Sequence, residues 1–219
     1  LGVDVVAFPE LAVTGYPPKD LLDRPYFIDD VERVFGALVR RLPPVPAIVG
    51  TVVRNPAPEG RGLFNAAALI EGGRVRAVHH KALLPTYDVF DEGRYFEPGR
   101  TTIVEAVGGL PIGLSVCEDM WNDGDFAPRP LYHADPLQGL AAAGARAVAN
   151  ISASPLTVGK DRVRLDLARA QARKLGAAFL YCNQVGGNDD LIFDGNSFMI
   201  GPDGALLAKA RAFEEDLLV

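Results

Sequence analysis

Residues 147–182 read AVANISASPLTVGKDRVRLDLARAQARKLGAAFLYC, and their order decides the fold class. Ala147–Ile151 is a short apolar run of strand length, and Ala178–Cys182 is another. Between them, over Asp161–Leu175, Val163, Leu167 and Ala170 lie beside Leu165, Ala168, Ala172 and Leu175, with the arginines pointing elsewhere. That spacing predicts an amphipathic helix. Strand, helix and strand in succession belong to an α/β domain, not to an all-β sandwich or a helical bundle.

The alternation continues in both directions. Val3–Phe8 is an apolar strand stopped by Pro9, and it delivers Glu10 at its carboxyl end. Val31, Val34, Phe35, Leu38 and Val39 predict a helix over 29–42, capped by Asp29 and Asp30 and ended by Pro43, Pro44 and Pro46. Ala47–Val53 and Phe64–Ile70 read as strands, and Glu71–Arg74 turns the chain into a third, Val75–His80, so antiparallel pairing is mixed into the sheet. Pro111–Val116 is a further strand that runs directly into Cys117-Glu118-Asp119. Leu137–Ala143 reads as a short helix, and Ser197–Ile200 turns at Pro202-Asp203-Gly204 into Ala205–Lys209. With no repeat, low-complexity tract or linker, one domain accounts for residues 1–219.

Composition narrows the function classes. A chain of 219 residues with 48% hydrophobic content buries a continuous core, which excludes disorder as its main state. With 28 acidic against 22 basic side chains the net charge is −6, which argues against nucleic acid as a partner. No apolar run approaches the roughly 18 residues of a membrane span, and no secretory signal is visible, so a soluble cytoplasmic protein is expected. The Asn150-Ile-Ser acceptor for glycosylation is then idle, and Cys117 and Cys182 are two reduced thiols. Phosphate-gripping glycine motifs and Cys/His clusters are absent, and Asp119, Asp123 and Asp125 around Gly124 miss the EF-hand spacing, so no metal and no cofactor are expected in this segment. The chain opens on Leu-Gly-Val-Asp with no methionine or lead-in to its first strand, and reads as a piece of something longer.

Cys117 stands where a buried strand ends and a turn begins, a place from which a side chain faces a cleft. A nucleophile fits there, and so does a small apolar filler. Cys182, inside a strand, is assigned to packing. An ordinary thiol, with a pKa of about 8.5, is only a few per cent thiolate at neutral pH, so a catalytic one needs a base or a cation beside it. Two arrangements are available. His79, which shares a strand face with Lys81, could form a dyad with Cys117. Alternatively Glu10 is the base and Lys81 the cation, unless those two are an ordinary exposed ion pair.

Three blocks bear on that choice: Phe8-Pro9-Glu10-Leu11 with Thr14-Gly15-Tyr16; His80-Lys81-Ala82-Leu83-Leu84-Pro85-Thr86-Tyr87 with Phe90-Asp91-Glu92 and Tyr95-Phe96-Glu97-Pro98-Gly99; and Val116-Cys117-Glu118-Asp119-Met120-Trp121. In this order they resemble the nitrilase, or carbon–nitrogen hydrolase, superfamily, each block carrying one member of its Glu-Lys-Cys triad. Tyr16–Leu22, the Cys-Glu-Asp-Met-Trp block and Asn150–Pro155 through Gly159-Lys160 are more narrowly similar to the glutaminase domains of glutamine-dependent NAD+ synthetases.

The resemblance implies an α-β-β-α sandwich of two mixed sheets with helices on the outer faces, assembled as a homo-oligomer. It implies that Cys117 attacks the glutamine amide, that Glu10 is the general base, and that Lys81 faces the oxyanion and helps to hold the thiolate. Glu92 becomes the further carboxylate beside the lysine. Tyr16, Tyr87, Glu118, Ser154 and Lys160 become substrate contacts, Glu118 meeting the ammonium and Lys160 the carboxylate. The family's first strand and helix would precede Leu1. A synthetase domain using ATP and Mg2+ would follow Val219. The competing expectations are a stand-alone amidase or nitrilase acting on another small amide, and an inactive oligomerisation or regulatory module.

Overall fold

The computed structural model describes residues 2–126 and 129–219. Four strands lie side by side in chain order to form the first sheet: β1 (Val6–Ala7), β2 (Ala47–Arg54), β3 (Leu63–Glu71) and β4 (Arg74–His80). The second sheet takes β5 (Val104–Val107), β6 (Leu110–Val116), β7 (Ala147–Ser152) and β8 (Ala178–Asn183). β9 (Val185–Asn188) and β10 (Leu191–Asp194) then pair with each other, after which β11 (Phe198–Ile200) and β12 (Leu206–Lys209) complete the second sheet in the order β12-β11-β8-β7-β6-β5. Both sheets are mixed. β1 is parallel to β2 while β2, β3 and β4 are antiparallel; β6, β7 and β8 are parallel while both flanks are antiparallel.

Because alternate strand residues point to opposite faces, each sheet buries two different surfaces. Ile48, Ala67 and Leu69 of the first sheet meet Ile112, Leu114, Val116, Ala147, Ala149 and Ile151 of the second in one core. On the far side of the first sheet, Ala47, Val49 and Ile70 lie under Phe35, Leu38 and Val39 of α1 (Pro25–Arg41). α2 (Glu92–Tyr95) is a single turn. On the far side of the second sheet, Val148, Phe179 and Tyr181 pack against α3 (Pro136–Ala142) and α4 (Lys160–Leu175) through Leu137, Leu140, Leu167, Ala168 and Ala172. The layers are therefore helix, sheet, sheet and helix, as the resemblance implies.

The local expectations need four corrections. β1 has two paired residues instead of the six of Val3–Phe8. α1 begins at Pro25, whose fixed φ suits the first helical position, so Asp29 and Asp30 sit within the helix and cap nothing. In α4 the expected face holds at Leu167, Ala168 and Ala172 but not in the first turn, where Arg164 is 1% exposed and Val163 41%, because the Arg164 guanidinium reaches Asp194 at 2.8 Å and donates to the carbonyls of Ser154 and Pro155. Finally β5, α2, β9 and β10 were not anticipated. Each is four residues long, and Gly186-Gly187 of β9 carries no apolar pattern. Among the described residues no helix is long and apolar enough to cross a membrane.

Candidate active site

Glu10 lies three residues past β1, in a bend that crosses closely over β2. Gly50 makes that crossing possible: a Cβ there would lie 2.3 Å from the Pro9 carbonyl oxygen and 2.4 Å from the Leu11 nitrogen. Lys81 directly follows β4, its N–H held by the Asn65 carbonyl at 2.8 Å. Gly99 lets the returning chain pack there, since its Cβ would fall 2.0 Å from the His80 oxygen. Cys117 directly follows β6 and Ala153 directly follows β7, so both sheets present strand ends at one place.

There the polar side chains form a closed network. Lys81 Nζ donates to Glu10 Oε1 at 2.8 Å and to Glu92 Oε1 at 2.7 Å. Asn65 Nδ2 donates to Glu10 Oε1 at 2.7 Å, and the Ala153 N–H to Glu10 Oε2 at 2.9 Å. The Tyr16 hydroxyl donates to Glu92 Oε1 at 2.7 Å. Glu10, Lys81 and Glu92 are buried. Burial works against the Lys81 charge, but Glu10 and Glu92 outweigh it and hold the ammonium well above the ordinary lysine value. Glu92 moves upward because burial and the Glu10 charge together exceed the pull of Lys81.

Cys117 has φ 40, a conformation rare for a residue with a Cβ, and opens a tight turn over Cys117–Met120. Its sulfur is within electrostatic reach of Glu10, Lys81, Glu118 and Glu92. Burial first and the Glu10 carboxylate second push the thiol well above the usual cysteine value, and the Lys81 ammonium only partly offsets them.

Beyond the sulfur, the Glu118 carboxylate accepts the Tyr87 hydroxyl at 2.9 and 3.0 Å and the Tyr132 hydroxyl at 3.0 Å. Burial raises its pKa while these two phenols and Lys81 pull it back. Lys160 Nζ sits 6.0 Å from the Phe90 ring centre and 5.6 Å from that of Trp121, with its pKa lowered by burial. Ser154 is buried beside Ala153, its N–H on Asn183 Oδ1 at 2.9 Å.

Glu10, Lys81, Glu92, Cys117, Tyr87, Glu118 and Lys160 therefore converge. Tyr16 converges too, its hydroxyl donating to Glu92. His79 is not paired with the thiol. Its Nε2 lies 2.9 Å from Asp119 Oδ2. Cys182 fills space between the sheets and donates its S–H to the Ala7 carbonyl at 3.4 Å. Asn150 is wholly buried, with its amide on Ser115 Oγ at 2.8 Å, and is closed to modification. Sequence reasoning missed Asn65, Tyr132 and the Ala153 N–H. Asn65 carried a signal, a lone amide inside the apolar strand Phe64–Ile70; the other two did not.

A buried nucleophile, a carboxylate able to take its proton and an ammonium beside it suit acyl transfer, and the Glu118–Lys160 pair suits a ligand carrying both charges. Residues 1–219 match the profile of the carbon-nitrogen hydrolase family. The chain is 44% identical to the glutamine-dependent NAD(+) synthetase of Synechocystis sp., covering 99% of itself and 39% of that relative. It superposes on the glutamine-dependent NAD+ synthetase of Acinetobacter baumannii in complex with ADP with a TM-score of 0.87 at 34% identity, covering 99% of itself and 38% of that chain. It also superposes, with a TM-score of 0.80 at 26% identity, on an amidase variant from Nesterenkonia sp. AN1 with the acetamide moiety of fluoroacetamide added covalently at the active site cysteine; 99% of this chain and 76% of that one are covered.

Proposed function

The chain belongs to the carbon–nitrogen hydrolase family, and from that premise we propose that it hydrolyses the side-chain amide of glutamine through a cysteine thioester. The Cys117 sulfur attacks the carboxamide carbon as Glu10 takes the thiol proton. The oxyanion that forms faces the Lys81 ammonium and the Glu118 N–H; one such donor typically contributes about 3 kcal/mol to lowering the barrier. Glu10 returns the proton to the leaving nitrogen, the C–N bond breaks, and ammonia departs from an acyl-thioester. Glu10 next takes a proton from water, whose oxygen attacks the carbonyl. The C–S bond then breaks, glutamate is released, and the sulfur regains its proton.

The observation that carries glutamine, over a simple amide, is that Glu118 and Lys160 lie within electrostatic reach of each other and of the Cys117 sulfur. An anionic cradle bearing two phenols suits an α-ammonium, and a partly desolvated lysine suits an α-carboxylate. Tyr87 donates to the same Glu118 carboxylate, and Ser154 is the remaining polar group assigned to the substrate in this reading. Because the chain spans 39% of the Synechocystis relative, the use of the ammonia is part of the proposal: a synthetase domain beyond Val219, working with ATP and Mg2+, would consume it to make NAD+. Assembly as a homo-oligomer belongs to the same reading.

The test is glutamate release by the full-length protein. Cys117→Ala is expected to abolish it while ammonia-dependent NAD+ synthesis persists. Glutamate release unchanged by the substitution overturns the mechanism. The likeness to the Nesterenkonia amidase favours a second reading, hydrolysis of another small amide. A wild-type protein that cleaves short aliphatic amides faster than glutamine supports it. A thiol inert to both would mark an inactive module.

A further inference from the structure

Asp119, two residues past the nucleophile and 1% exposed, takes part in none of the steps above, yet its carboxylate accepts four hydrogen bonds. On Oδ2 it receives the His79 ring Nε2–H at 2.9 Å and the Val116 N–H at 3.0 Å. On Oδ1 it receives the Ala82 and Leu83 N–H groups, each at 2.9 Å. Val116 immediately precedes Cys117, and Ala82 and Leu83 immediately follow Lys81. A single carboxylate therefore ties the nucleophile's turn, which leaves the second sheet, to the lysine's strand end, which leaves the first.

His79 is 3% exposed, and its Nδ1 has no hydrogen-bond partner among the described residues. The ring lines a cavity of about 150 Å³ with Thr101, Thr102 and Leu114, so Asp119 provides its hydrogen bond. The ring in turn supplies the one side-chain donor to this carboxylate among the described residues. Cys117 at φ 40 is held in a strained conformation, which persists only where the surroundings over-determine it.

We infer that Asp119, oriented by His79, is a positioning residue that sets the register between the Lys81 ammonium and the Cys117 sulfur. The inference rests on the hydrolase reading, but its test also uses a readout that does not require glutamine turnover, the rate at which 2-chloroacetamide alkylates Cys117 in the full-length protein. His79→Leu keeps bulk and removes the donor, whereas His79→Gln returns an amide N–H near the position of Nε2. Asp119→Asn keeps an acceptor for Ala82 and Leu83 but turns an N–H toward the Val116 N–H.

A displacement of about 1 Å at reacting groups can lower the rate on the order of a hundredfold. His79→Leu is accordingly expected to slow both alkylation and kcat by about tenfold, with Asp119→Asn slower still, while the KM for glutamine stays within about twofold. His79→Gln should recover both rates to within about threefold of wild type. Equal rates for His79→Leu and His79→Gln overturn the inference, as does a KM that rises in step with the loss of kcat. A wild type that is alkylated but releases no glutamate removes the glutamine reading and leaves the alkylation comparison to decide the inference. The two His79 variants decide it even where Asp119→Asn does not fold.

Discussion

Lys81 holds two buried carboxylates, Glu10 and Glu92, so its removal strands both. Breaking a buried ion cluster by deleting one partner typically costs about 3–5 kcal/mol. Lys81→Met should lose hydrolysis and about that much stability at pH 8, measured by urea unfolding. The loss should shrink toward pH 5. Burial already raises the Glu92 carboxyl, the folded protein keeps its proton more readily than the unfolded chain does, and falling pH therefore relieves the uncompensated charge. Lys160 shows the opposite direction. Burial lowers it, reinforced by Arg164 and resisted by Cys117, Glu118 and Asp88, so it gives up its proton at a pH below the ordinary lysine value. If Lys160 holds the substrate carboxylate, the KM for glutamine should climb on the alkaline side below that value. Lys160→Gln should have a raised KM that no longer climbs; an unaltered alkaline limb in this variant would separate Lys160 from substrate binding.

Strand ends deliver the reacting groups, and close backbone crossings aim them. Gly50 is the sharpest case, since a methyl group there would meet the backbone on both sides of Glu10. Gly50→Ala should push that bend off β2, costing about 1–3 kcal/mol of stability as overpacked positions do, with a loss of kcat far larger than any change in KM. Thermal unfolding and steady-state kinetics on the same sample check it. In the loop before α3, Asn122 clamps Tyr132 by accepting its N–H at 3.0 Å and donating to its carbonyl at 2.8 Å, which brings the phenol to Glu118. Tyr132→Phe removes one donor from the Glu118 carboxylate and should change the KM for glutamine by several-fold with kcat nearly preserved. A fall in kcat alone would assign Tyr132 to the chemistry instead.

Across the whole molecule, Glu10 and Lys81 follow strands of one sheet while Cys117 and Ala153 follow strands of the other, so the separation of the sheets sets the distance between the Glu10 carboxylate and the Cys117 sulfur. Small residues, Ala67, Ala147 and Ala149, occupy much of that interface. Ala149→Leu should wedge the sheets, lowering stability by about 1–3 kcal/mol and reducing kcat together with the rate of Cys117 alkylation. Unchanged kinetics in a destabilised variant would uncouple sheet spacing from the site. Much of this was legible in one dimension. The alternating apolar runs specify strands and helices through local periodicity, and Phe8–Leu11, His80–Tyr87 and Val116–Trp121 point to Glu10, Lys81 and Cys117 because each motif is contiguous. Other features depend on contacts between distant segments. The burial of Arg164 against Asp194, the service of Tyr16 to Glu92 and the binding of His79 by Asp119 each join residues whose proximity exists only after the sheets pack. The upward shift of the Cys117 thiol is of the same kind, since burial and the Glu10 carboxylate act on the sulfur only once the sheets have packed. The chain alone thus determined which groups are available and in what kind of layer they sit, because propensity and motif are local. Which of them touch, and which carry charge, was decided by the tertiary structure, because hydrogen bonding and desolvation depend on distance in space and not on separation along the backbone.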